Sequence, residues 1–95
     1  MTALLIAASA GAMIKATLPA EAYTGEEMAK QAQVSIAEAR AIALKARPGK
    51  ITDEELEKEQ GGSGLRYTFG IKYGAVTYEV GVDAQTGRVL ENAKD

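Results

Sequence analysis

The chain has no cysteine, no histidine and no tryptophan. Without thiols it has neither disulfides nor a thiolate nucleophile, and without Cys or His it has no tetrahedral zinc site of the usual kind. Lack of imidazole removes the ordinary acid–base group of neutral pH, and with it any serine–histidine triad, so Ser63 has no such partner. An excess of one charge is missing too: 11 Lys/Arg stand against 13 Asp/Glu, for a formal net charge of −2. A nucleic-acid footprint would need a basic stripe, and none is present. The longest apolar run, Ala3 to Ile14, falls short of the roughly 20 residues a membrane-spanning helix needs. Ninety-five residues leave room for one domain.

What is there begins with Leu65 to Leu90. Leu65, Tyr67, Phe69, Ile71 and Tyr73 alternate with Arg66, Thr68, Gly70 and Lys72, the period of a half-buried strand. Gly74-Ala75 suits a two-residue hairpin loop of type II′, since Gly accepts positive φ at the first position. Val76, Tyr78, Val80 and Val82 alternate next. That loop predicts the pairs Tyr73–Val76, Ile71–Tyr78, Phe69–Val80 and Tyr67–Val82, all on one face. A slip by one residue would scatter them, so the register is well specified. The other face then carries Arg66 opposite Asp83, and Lys72 diagonal to Glu79. Residues 83–87 reverse the chain again, with Asp83 as a turn residue bonding nearby backbone. Arg88 to Glu91 returns as a short strand, and the pattern leaves open whether Val89 or Leu90 points inward.

Upstream, Met1 to Ala22 reads as a signal peptide, with Ala20-Glu21-Ala22 as the small-x-small cleavage site. No basic residue precedes its apolar run, and the alternative is a buried N-terminal helix of a cytosolic protein. Residues 23–34 form a polar segment or a short helix, with Thr24 and Glu27 at capping-box spacing. Ser35 to Arg47 predicts a helix opened by a Ser35–Glu38 capping box and stopped by Pro48-Gly49. Ile36, Ala39, Ile42, Ala43 and Ala46 make its apolar stripe, narrow enough for close approach, with Glu38, Arg40 and Lys45 outside it. Lys50 to Gln60 is ambiguous. Thr52 with Glu55 could cap a helix, but Gly61 to Gly64 leads straight into the Leu65 strand. The segment is read as an edge strand starting near Ile51, with Leu56 opposite Phe69 and its charges guarding the edge.

The expected architecture is therefore α+β: one helix packed on a three- to four-stranded antiparallel sheet, over residues 35–92. No catalytic constellation emerges. Glu55, Glu57 and Glu59 would share one face of a strand and suggest a calcium site, but a solvated charge run explains them better. Tyr67, Phe69, Tyr73 and Tyr78 sit at core parity without flanking cations, which speaks against base stacking. Gly61-Gly62-Ser63-Gly64 lacks the Lys-Ser/Thr pair of a phosphate loop. No catalytic, cofactor or metal residue is assigned. The mixed polar face of Arg66, Thr68, Lys72, Thr77 and Glu79 is the candidate protein-binding surface.

The ordered set also resembles a known family. Ala39 to Ala46 with Pro48-Gly49, then Leu56-Glu57, Tyr78-Glu79-Val80 and Val82-Asp83-Ala84-Gln85-Thr86-Gly87-Arg88-Val89-Leu90 look like a PepSY domain. The family takes its name from peptidase propeptides and a YpeB-like spore-germination protein. The resemblance runs from about Ser35 to Glu91. It implies a helix on an antiparallel sheet in a periplasmic or secreted protein, membrane-anchored if Met1 to Ala22 stays attached. It also implies a peptidase or another envelope protein as partner, and inhibition or chaperoning as the role. The expected function is thus a non-catalytic exported binding module. The alternatives are a small-ligand carrier or unrecognised enzyme, and a homodimer paired through the sheet edge.

N-terminal sequencing of the protein from cell fractions tests the export reading. The expected product lies in the envelope or medium and begins at Tyr23. A cytosolic product that retains Ala3 to Ile14 would overturn it.

Overall fold

The structure, a computed structural model, describes residues 22–95; the segment read as a signal peptide lies outside them, apart from Ala22. A 3-10 turn spans Glu26–Gln31, and helix α1 spans Ile36–Ala46. Four strands follow: β1 Lys50–Lys58, β2 Leu65–Tyr73, β3 Val76–Asp83 and β4 Val89–Lys94. They form one antiparallel meander in the order β1-β2-β3-β4. The architecture is the expected α+β arrangement with four strands.

The β2–β3 hairpin has the predicted register. Phe69 faces Val80, Tyr67 faces Val82 and Ile71 faces Tyr78, across a Gly74 held at φ 64°. Phe69, Ile71, Val80 and Val82 are wholly buried, and Tyr67 nearly so. Tyr67 and Phe69 stack with centroids 6.4 Å apart. Tyr73 departs from the expectation, at 65% exposed despite its parity. An 11-residue helix reaches about 16 Å, whereas a nine-residue strand reaches about 30 Å. The roof is shorter than the hairpin, so the hairpin tip stays wet.

Helix α1 starts as its capping box requires: the Ser35 hydroxyl accepts from the Glu38 amide at 3.0 Å, and the Ser35 amide donates to Glu38 Oε1 at 2.9 Å. Ala39 and Ala43 are fully buried, with Ile36 and Ile42 packed at the margin of the core. Small side chains let the helix axis settle onto the aromatic pair beneath. The linker before it is pinned to the β3–β4 turn: the Gln33 and Val34 amides both donate to the Ala84 carbonyl, at 3.0 and 2.9 Å. Gln85 closes the same contact, accepting from the Gln33 amide and donating to the Gln31 carbonyl.

Three local readings shift. The expected Thr24–Glu27 box does not form; Gly25 is the N-cap, and the Tyr23 amide donates to Glu26 Oε1 one residue earlier. Lys50 to Lys58 is a strand, but Leu56 faces Tyr67 and Glu54 faces Phe69. The loop turns earlier than expected, because the Glu59 amide donates to the Gly64 carbonyl at 3.0 Å. Ser63, read as loop, is drawn aside by Asp83, to which both its amide and hydroxyl donate at 2.7 Å. The slide is two residues, so Leu56 keeps its inward face. A bulge between Ile51 and Asp53 then flips the parity, so that Ile51 faces Ile71 rather than solvent. At the far edge Val82 faces Val89, a bulge follows, and Val89 is 40% exposed. Leu90 is half-buried against Gly62, where an added Cβ would lie 2.8 Å from its Cδ1.

Removing the Phe69 ring should cost about 3–5 kcal/mol, comparable with the whole stability of so small a domain. Thermal unfolding followed by circular dichroism is expected to lose its cooperative transition in Phe69→Ala. Tyr73→Ala, on the same strand face, should keep it within a few degrees.

Candidate protein-binding face

The sheet has one face roofed by α1 and the 3-10 turn, and one that no described element covers. All five residues proposed for binding lie on the uncovered face. Arg66 pairs with Asp83, Thr68 with Gly81, Gly70 with Glu79, and Lys72 with Thr77. Their exposure differs from the expectation. Lys72 is exposed and Thr77 and Glu79 are half-buried, but Arg66 and Thr68 are buried, at 8% and 7% exposed.

Arg66 is buried because its neighbours are small. Its side chain lies across Gly81, where an added Cβ would come 3.0 Å from Cδ. Its Nη2 donates to the Gln60 carbonyl at 3.1 Å, and Nη1 approaches Glu91 at 3.6 Å and Glu59 at 3.8 Å. Its Nε is buried without a hydrogen-bond partner. Arg66 thus holds the 60–63 loop and two carboxylates together; the solvent-facing chemistry belongs to its neighbours.

Those neighbours are mostly acidic. Glu57 accepts from the Thr68 hydroxyl at 2.9 Å. Burial raises the Glu57 carboxyl above its ordinary value of 4.5, and the nearby Glu55 and Glu59 charges add to the rise. Burial likewise raises Glu79, helped by Glu91 and Asp95. Glu55, Glu79, Asp53 and Asp95 line a trough of about 250 Å³ floored by Gly70 and walled by Thr68 and Thr77. Glu59 has left the strand for Arg66, so the three glutamates once grouped for calcium do not share one strand face. Among the described residues no cluster of metal-ligating groups forms.

Asp83 sits at the end of this face. It is 1% exposed and accepts from the Ser63 amide and hydroxyl and from the Gln85 amide at 2.8 Å and the Thr86 amide at 3.2 Å. Burial opposes its ionisation, but the bonds from Ser63, Gln85 and Thr86 outweigh it and hold its pKa at about 2, below the usual 3.8. The turn role was expected; the capture of Ser63, twenty residues away, was not, and the Gly-Gly-Ser-Gly spelling gave no sign of it.

Two interactions under the roof were also missed. Arg40 makes a bidentate pair with Glu54, Nε to Oε2 at 2.6 Å and Nη2 to Oε1 at 3.0 Å, across the helix–β1 seam. Glu54 shares the apolar parity of Phe69, so its charge needs this partner there. The Tyr67 hydroxyl donates to the Val34 carbonyl at 2.7 Å. Burial, with Tyr23 and Glu38 nearby, pushes the Tyr67 phenol up to about 12.

The chain belongs to the PepSY family: the model of that family, described as peptidase propeptide and YPEB domain, matches residues 33–92, well over half of the chain. A module of this kind is propeptide- or inhibitor-like, consistent with a role that needs no catalysis. No curated protein and no solved structure matches the chain.

The carboxylates set opposite pH limbs. Above pH 4.5 an unfolded glutamate is ionised, while folded Glu57 and Glu79 still bind protons, so stability falls as pH rises through their raised values. The contribution of Asp83 is whole above 3.8 and is lost as pH falls toward about 2. Urea midpoints measured across pH should rise modestly on acidification from neutrality and then fall steeply. Glu79→Gln should shrink the rise. Asp83→Asn should shrink the acid fall and cost about 2 kcal/mol at neutral pH, the scale of hydrogen bonds to a charged group.

Proposed function

We propose that this chain is a non-catalytic, exported protein-binding module that modulates a peptidase of the cell envelope. The observation that carries the reading is the uncovered sheet face in a chain of the peptidase-propeptide family. A four-stranded sheet roofed on one side presents its other side as a broad, polar, rigid surface. Lys72, Thr77 and Glu79 are its accessible contacts, with Arg66 and Thr68 as the buried frame that holds them.

Export rests on the Met1 to Ala22 segment and on the family's link to extracellular and periplasmic proteins; cleavage after Ala22 frees the module, and retention of the segment anchors it. No helix among the described residues is long and apolar enough to cross a membrane. The carrier alternative needs a cavity under the helix. Ala39 and Ala43 are instead seated with no exposure, and the two clefts described here lie at the β1 edge and on the open face.

Crosslinking in the native envelope followed by mass spectrometry tests the reading. A peptidase is the expected partner, with recovery falling about tenfold in a Lys72→Glu, Glu79→Lys variant, since two reversed contacts are worth over 1 kcal/mol. Equal recovery of every partner by the wild type and the variant would overturn it.

A further inference from the structure

The edge of β1 carries an unfinished pairing. The Leu56 amide points away from β2 and donates to the Thr24 carbonyl at 2.8 Å, in a parallel bridge that pairs Thr24 with Glu55. Gly25 follows with φ 87°, where an added Cβ would run into the Leu56 carbonyl oxygen. Backbone polar groups alternate in direction along a strand, so the amide and carbonyl of Glu54 point outward like those of Leu56. Among the described residues no backbone partner meets them. Here Ala22–Thr24 and Ile51–Glu54 part around a cleft of about 810 Å³, with Arg40 in its wall. The edge therefore accepts a parallel strand at Thr24 and offers the next ladder position to another chain.

The side chains beside that edge say what the other chain should carry. Asp53, Glu55 and Glu57 face Gly70, Thr68 and Arg66, so the three carboxylates line the open-face side of β1 at every second position. Among the described residues none of the three is ion-paired; the pairs formed are Arg40–Glu54, Arg66–Glu59 and Arg66–Glu91. The trough over Gly70 opens directly from this row, walled by Asp53, Glu55, Glu79 and Asp95. A strand laid on β1 would send every second side chain over these carboxylates, the closest of them toward the trough.

We propose that the β1 edge receives an extended segment of a partner protein with lysine or arginine at every second position. This rests on the binding-module reading for the existence of a partner and adds its chemistry and its mode of docking. Main-chain bonds come from the outward groups of Glu54; selectivity comes from Asp53, Glu55 and Glu57. A second copy of this chain is the wrong occupant, because two β1 edges would set two unpaired acidic rows against each other. The opposite edge, β4, is six residues long and is broken by a bulge at its start, and it carries no such row.

The test uses the whole protein and synthetic peptides, read by fluorescence anisotropy at low ionic strength. The peptides are an alternating Lys-Thr sequence, the same composition with its lysines grouped, and the alternating sequence N-methylated at every second amide. The alternating peptide is expected to bind about tenfold more tightly than either control. Asp53→Asn with Glu55→Gln should weaken it about tenfold, the worth of two exposed charge pairs, while leaving the melting temperature unchanged. Equal binding of the N-methylated peptide would reduce the effect to bulk charge and overturn strand addition. Equal binding by the double variant, or no binding of the alternating peptide, would overturn the proposal as well. If the peptides fail while Lys72 and Glu79 variants still lose an envelope partner, the edge inference falls and the module reading stands. If the peptides bind and no envelope partner is recovered, the reverse holds.

Discussion

One carboxylate organises this domain. Asp83 is buried at the end of β3 and gathers hydrogen bonds from two loops distant in sequence. Toward the C-terminus it shapes the turn that presents the Ala84 carbonyl and the Gln85 amide group to the linker before α1. Toward the N-terminus it takes Ser63 out of the ladder and so sets where β1 pairs with β2. The roof and the edge strand are placed by the same ion. A buried charge is tolerated there because four donors replace its lost hydration.

The hairpin was readable from alternation alone, because side-chain period two and a Gly-led turn leave a single register that buries Phe69 and Val80 together. The helix was readable from Ser35, Glu38 and Pro48, which act within one turn. The β1 register was not, since it depends on Ser63 meeting Asp83 and on a bulge at Thr52, and neither leaves a local pattern. Arg40 and Glu54 were each assigned to solvent for the same reason: only the packed seam brings a helix residue to a strand residue fourteen positions on. The five face residues were legible as a set by parity. Their unequal burial was not, because it comes from Gly81 giving Arg66 room to lie flat.

The two sides of the sheet solve different problems. Beneath the helix, alanines and aromatics pack closely, and the polar atoms of Tyr67 and Glu54 are each given a partner. On the open side, carboxylates crowd a glycine floor, and burial and mutual repulsion hold protons on them more tightly than on ordinary glutamates. That repulsion costs the folded chain some stability. A cationic partner relieves it, which is the physical sense in which this face is poised for association.

The strand order places the two ends of the described chain far apart. Ala22 emerges beside β1, and Asp95 leaves β4, which forms the other margin of the sheet, with its amide bonded to the Thr77 carbonyl. A dye, affinity tag or fused domain attached after Asp95 therefore leaves the β1 margin clear. The same cargo attached at the front would hang over it, and a tether to a lipid surface from that end would turn the acidic margin toward the bilayer headgroups.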